Sequence, residues 1–441
     1  MKQFARRSVG LGLVCVLMLS SAHGQDAAVD SGRDPNETLL PSLTAEQALE
    51  QTPLSGQGFR TTVFGKEVTV PAWNRRSFRA WQFGAQVNTP APSKRDVIPV
   101  ATIYWWDHPD DNRSIFYGET VALYNNLLFG QSFADSSFER VFTFNSYTVP
   151  VAQDEIIDGR EVKASSLYWG YVRPGIGLGY REQIGQYNDN LFAVDWIVEP
   201  GLLYFGRSNS TGASFVTPQD TFELRTRIEF RWDLLERNVL NMIHRGYAAG
   251  ANVIYGHRMN WTSWGFAGQE SSQGRNYAEF EGYLIGGGRI PFVDSERHRL
   301  FGYLHAGIGH HLDRFSAERI GGGPNPKGDS FNDTWRPVLP GASVWEYFPQ
   351  NYAIAAGEYR WEATFFTYVS IGGGVATLNP LSRTANAPAR TQRLFPFAGI
   401  QVVTGFLGNT RLTMSYSRNW GVVRGNDFGA NEIMLWVAGS F

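Results

Sequence analysis

The chain has 441 residues, with 39 basic and 41 acidic side chains and a formal charge of -2. That balance leaves no electrostatic footprint for nucleic acid or for an anionic membrane surface. Aromatic residues at 14 % and 48 glycines, with a mean hydropathy of -0.26, favour strands and turns over helices.

The first residues, "MKQFARRSVGLGLVCVLMLSSAHGQ", carry Lys2, Arg6 and Arg7, then an apolar run from Val9 to Leu19, then small residues. This layout predicts a secretory signal peptide over 1–24, with an apolar run too short for a membrane span. Cys15, the only cysteine, lies in that run, so the exported chain is expected to have no disulfide. Residues 25–95 read as a periplasmic N-terminal segment, with the polar stretch Asp26 to Pro41 expected to be disordered. Thr44 and Gln47 stand at capping-box spacing, which predicts a short helix. Two short strands are expected within 58–70 and 77–88, followed by a Pro-bearing linker, "NTPAPSK".

From residue 96 to 441 the texture is uniform. Alternating segments are predicted near 97–107, 114–130, 138–149, 164–182, 188–207, 221–235, 245–260, 275–292, 298–314, 352–362, 364–378, 394–407, 410–423 and 431–441. In "TFELRTRIEFRWDLL", Phe222, Leu224, Ile228, Phe230 and Trp232 alternate with Glu223, Arg225, Arg227, Glu229, Arg231 and Asp233. A row of six charges cannot sit unpaired in an apolar core. With helical patterns almost absent, the choice lies between sandwich and barrel, and strands this long favour the barrel. The predicted class is therefore all-β: a transmembrane antiparallel β-barrel of about 14–16 strands in the outer membrane, apolar face to lipid and charge ladder inward. The last segment, "EIMLWVAGSF", then reads as the closing strand, with Ile433, Leu435, Val437 and Phe441 outward and Glu432, Met434, Trp436 and Ser440 inward. Tyr104, Trp105, Trp106, Tyr168, Trp169, Trp261, Trp264, Trp361 and Trp436 are expected in interfacial girdles.

No set of residues reads as catalytic, so no enzyme activity, cofactor or metal is expected. His305, His310, His311 and Asp313 share one segment, but alternation splits the histidines between two faces. "IGGG" at 285–288, 320–323 and 371–374 follows no strand into a helix, which argues against a phosphate loop.

One region carries a resemblance. A long Gly-rich loop over 317–350 precedes five strands, the first of them "YAIAAGEYRWE", and a C-terminal Phe, and "NMIHRGYAAGANVIYG" has a turn-Arg-Gly strand start. Together these resemble the barrel of the Omp85 (bacterial surface antigen) superfamily. The resemblance implies sixteen strands and a loop folded back into the lumen through Gly321, Gly322, Gly323, Arg336, Pro340 and Gly341. It also implies a terminal Phe recognised by the barrel-assembly machinery, and a seam between first and last strands that can open. Two departures stand out. The superfamily's Val-Arg-Gly motif has only Trp335-Arg336-Pro337 or Leu339-Pro340-Gly341 as counterparts, and "FTYVSIGGGVA" lacks the acidic partner on the wall. No periplasmic POTRA pattern precedes the barrel. The resemblance implies insertion or translocation of protein or lipid through the outer membrane, with the client unspecified. The alternative is a passive porin-like channel lined by the ladder from Glu223 to Asp233.

Overall fold

The computed structural model describes residues 42–44, 47 and 53–440, apart from 71, 73–76, 93–96, 108–112, 122–123, 135, 149–151, 158–159, 186–189, 272, 324–335, 382–392, 407–409 and 425. Segment 1–24, expected to be a signal peptide, and Phe441 thus lie outside the described residues.

Sixteen long strands form one closed antiparallel barrel. They are β1 (Ser77–Thr89), β2 (Val97–Asp107), β3 (Ser114–Val121), β4 (Tyr124–Ser132), β5 (Phe138–Thr148), β6 (Arg160–Gln183), β7 (Leu191–Arg207) and β8 (Thr221–Asp233). The second half comprises β9 (Ile243–Arg258), β10 (Asn276–Arg289), β11 (His298–His310), β12 (Pro349–Thr364), β13 (Thr367–Pro380), β14 (Arg393–Phe406), β15 (Thr410–Arg424) and β16 (Asp427–Ser440). Two short strands, Gln153–Ile157 and Glu236–Arg237, extend the wall at β6 and β9. Each strand pairs with its sequence neighbour, and β16 closes on β1 from Asn431↔Thr89 to Ser440↔Ala80. Closure leaves no free sheet edge at the chain ends, which is what holds a wall without disulfides.

Two expectations change here. The barrel begins at Ser77, inside the segment assigned to 25–95, so β16 closes on Ser77–Thr89 and not on 97–107. The segment read as one strand over 114–130 is a hairpin, β3–β4, meeting at Val121↔Tyr124.

Alternation decides the faces. On β8, Phe222, Leu224, Ile228 and Trp232 are exposed on the outer surface, while Glu223 and Asp233 are fully buried inside. On β16, Ile433 and Leu435 are exposed outward, Val437 is half-buried, and Glu432, Met434 and Trp436 are buried inside. The connections after odd-numbered strands lie at one end; β3–β4 and β15–β16 are joined by two residues each, the others are longer, and the sixth in chain order joins β11 to β12. The opposite end carries short turns, such as the one between β12 and β13.

At that second end a hairpin, Phe59–Val63 with Lys66–Val70, lies over the turns. Phe59 packs edge-on to Phe365 at 5.3 Å, and Leu54 bridges Asn238. Thr44 and Gln47 make the reciprocal capping-box bonds that their spacing predicts, at 3.0 and 3.1 Å.

Candidate functional site: a loop clasped to the barrel seam

The connection from β11 to β12 runs inward. Ile320, Leu339 and Ala342 are fully buried against Tyr352, Ile354, Leu378, Phe395, Phe397 and Val422 of the wall. Apolar side chains from a loop have no other place to leave water, and burying each contributes on the order of 1–3 kcal/mol. Two backbone bridges, Ile320↔Tyr347 and Gly321↔Val338, fold the loop on itself.

Its tip docks on the three strands at the seam. Glu432 of β16, fully buried, accepts the Gly341 N–H at 2.7 Å, the Gln86 amide of β1 at 2.6 Å and the Ser417 hydroxyl at 3.3 Å. Gln86 also donates to the Ala342 carbonyl at 2.9 Å and accepts from the Val344 N–H at 3.0 Å. Asn88 donates to the same Ala342 carbonyl at 3.1 Å, and Asn419 of β15 donates to the Pro340 carbonyl at 2.9 Å. Arg424 of β15 forms a bidentate pair with Glu346, a contact fully withdrawn from solvent. One carboxylate thus ties the last strand, the first strand and the loop together.

Glycine makes the approach possible. Gly341 has φ +86°, a left-handed conformation costly for other residues. A Cβ on Gly322 would stand 2.2 Å from the Ala342 carbonyl, 2.3 Å from the Gln86 amide nitrogen and 2.5 Å from the Glu432 carboxylate. Gly322→Ala is therefore expected to destabilise the barrel by about 1–3 kcal/mol, the usual cost of overpacking. Gly302→Ala, where a Cβ would meet nothing within 4 Å, serves as the control in urea unfolding. Equal midpoints for the two variants would refute the close approach.

The other site residues sort as follows. Gly323 and Pro340 line a small cavity against Glu358, Ser370, Gln401 and Ser417. Arg336 reaches past the seam to the next sector, where it pairs with Glu119 of β3 at 3.2 Å and lies 5.0 Å from the Tyr124 ring. Its acidic partner thus comes from β3, whereas "FTYVSIGGGVA" on β13 supplies none. The ladder faces inward as a lattice of ion pairs. Glu223 bonds Arg173 at 2.6 Å and Arg258 at 3.0 Å; Arg258 also bonds Asp313 at 2.6 Å. Arg225 bonds Glu199 at 2.6 Å, Arg227 bonds Glu229 at 3.0 Å, and Arg231 bonds Asp233 at 3.2 Å.

The histidines do not converge. His305 is buried against Tyr283, while His310 and His311 stack on each other, exposed at the rim. Among the described residues no group of three His, Cys, Asp or Glu could hold a metal ion. Several aromatics expected in the girdles lie inside instead: Trp169, Trp261 and Trp264 surround Phe315 of the loop in one buried cluster. Tyr168 and Trp361 are exposed on the outer surface. Gln86, Asn88, Asn419 and Glu346 were not singled out from the sequence. Polar residues at inward positions of the strands beside the seam were the available signal.

No protein-family model matches the sequence, and no curated protein matches it. Solved structures do. CdiB from Acinetobacter baumannii aligns with a TM-score of 0.50 at 11% identity, over 88% of this chain and 64% of that one. The fold is shared. Identity this low shows nothing more, and this chain spans less than two thirds of that protein. BamA from Haemophilus ducreyi lacking POTRA domains 1-3 aligns at a TM-score of 0.48 and 12% identity, over 87% and 75% of the two chains. OmpT, an outer membrane protein of Vibrio cholerae, aligns at 0.36 and 9%, over 85% and 97%.

Proposed function

We propose that this protein is an outer-membrane barrel that inserts or translocates polypeptide or lipid by opening between β1 and β16, with the inward loop as the clasp that keeps it shut. The observation that carries this reading is the convergence of the loop, β1, β15 and β16 on the Glu432 carboxylate. A barrel built only to conduct solutes gains nothing from holding its closing strands to a loop, and the loop occupies the space a solute would use. The outward apolar residues and inward charge are the pattern lipid requires of a spanning barrel. The Omp85-like order of elements agrees: sixteen strands, with the inward loop at the sixth connection of its end of the barrel.

The test is single-channel recording on the barrel reconstituted in planar bilayers. The expected trace is near silence with brief openings. Ala85 and Leu435 face each other across the seam, and no cysteine other than Cys15 exists to interfere. Oxidised Ala85→Cys/Leu435→Cys is expected to abolish the openings, reversibly with reductant. The same bridge at Ile400 and Tyr416, within the wall, is expected to leave them unchanged. Large steady currents would establish the passive channel instead, and openings that persist with the seam bridged would exclude the seam as the gate.

A further inference from the structure

The wall has a low sector two strands away from the seam. β2 pairs with β1 along its whole length, from Val87↔Val97 to Ser77↔Asp107. With β3 it pairs only from Ile103↔Thr120 to Asp107↔Phe116. The β3–β4 hairpin meets at Val121↔Tyr124, so among the described residues nothing pairs with Val97–Thr102 on that side. On the far side, β5 continues to Thr148↔Gly170, and β6 rises further to Arg160 beside Gln153–Ile157. At about 3.3 Å per residue and a tilt of about 40°, the pair Val121↔Tyr124 sits on the order of 10 Å below the rim of β2. The gap opens at the end with the long connections.

Among the described residues this edge has no strand partner, and acyl chains cannot satisfy the N–H and C=O groups of a strand edge. Pro99, midway along Val97–Thr102, is a residue that a ladder paired on both sides rarely holds. The outer surface below the gap carries a run of polar side chains. Thr120 donates to Asn125 at 3.0 Å, and Asn125 donates to Ser146 at 3.0 Å. Register puts these three on the same face as the exposed Phe129, Phe142 and Phe144. Behind the gap, on the inner face, stands Arg336 on Glu119, with about a third of its side chain exposed (30%).

On the membrane reading above, we infer that this gap is a lateral port that seats the headgroup of a phospholipid from the surrounding leaflet. The phosphate meets Arg336, the headgroup and its water satisfy the edge of β2, and the acyl chains lie along Leu127, Phe129, Phe142 and Phe144. A guanidinium suits this role because its donor fork matches phosphate geometry.

The experiment places a photo-crosslinking phenylalanine at Val121, Gln401 or Ile400 of the full barrel, in vesicles of phosphatidylethanolamine and phosphatidylglycerol bearing a radiolabelled tracer. Ile400 faces outward and Gln401 lines the interior cavity. The expected result is strong lipid labelling at Ile400 and Val121 and none at Gln401. Arg336→Gln is expected to lower labelling at Val121 about tenfold, the worth of one charge-assisted contact, and leave Ile400 unchanged. Val121 as silent as Gln401, with Ile400 labelled, would overturn the port, and undiminished Val121 labelling in Arg336→Gln would overturn the headgroup assignment. Loss of labelling at Ile400 as well would overturn the membrane reading, and the port with it.

Discussion

Glu432→Ala is expected to convert a nearly silent barrel into one with frequent openings. The carboxylate is fully buried and accepts three donors: the Gly341 N–H, the Gln86 amide and the Ser417 hydroxyl. Truncation leaves all three facing a small apolar methyl. Each buried donor without an acceptor costs about 1–3 kcal/mol, more where the lost acceptor carried charge. The sum is of order 3–5 kcal/mol against the docked loop, a shift of 10² or more in the docking equilibrium. Glu432→Gln keeps one carbonyl acceptor and the shape, so its effect should fall between wild type and Glu432→Ala. Open probability in single-channel recordings orders the three. Equal open probability for wild type and Glu432→Ala would show that the loop is held by its apolar anchors alone, Ile320, Leu339 and Ala342.

Much of the wall was legible because a lipid-facing strand leaves a period of two. The ladder on β8 and the alternation on β16 show which side chains face in before any coordinate is known. Where the reading failed, the signal was physically absent. Between Val121 and Tyr124, where β3 and β4 meet, the sequence has only Ala122 and Leu123 and none of the Gly, Pro, Asn or Asp that usually mark a turn, so two strands read as one. β1 carries Gln82, Gln86 and Asn88 inward, and its place in the barrel depends on a partner some 350 residues away in sequence. No local pattern encodes that pairing. The buried tryptophans misled for a related reason: an aromatic near a strand end suits a lipid interface or a loop-filled lumen equally well. The loop's inward fold came from the resemblance, while its anchors on Gln86, Asn88 and Glu432 are matters of geometry alone.

Glu223→Ala is expected to be the most destabilising change on the far side of the barrel, without opening it. Glu223 is fully buried and bonds Arg173, Arg258 and the Tyr277 hydroxyl, the last at 3.0 Å. Arg258 keeps Asp313 when Glu223 is removed. Arg173, only 3% exposed, loses the carboxylate it bonds at 2.6 Å and is left charged among charged neighbours. Removing one partner of a buried ion pair costs about 3–5 kcal/mol, because the other charge remains without water or counter-charge. Glu236→Ala breaks a pair with Arg245, 59% exposed, and should cost under about 1 kcal/mol. Urea unfolding in lipid vesicles gives both numbers, and a Glu223→Ala cost below about 1 kcal/mol would show that the lattice is solvated and carries little. The two carboxylates thereby separate two mechanical roles. Glu223 stiffens β6 to β9, half the circumference away from the seam, whereas Glu432 holds the seam through a loop. Loss of the first should lower the urea midpoint and leave open probability unchanged. Loss of the second should raise open probability through the clasp itself. A barrel that opens at one place needs this asymmetry: a wall tied by charge pairs within the sheet, and a seam tied by contacts that can let go.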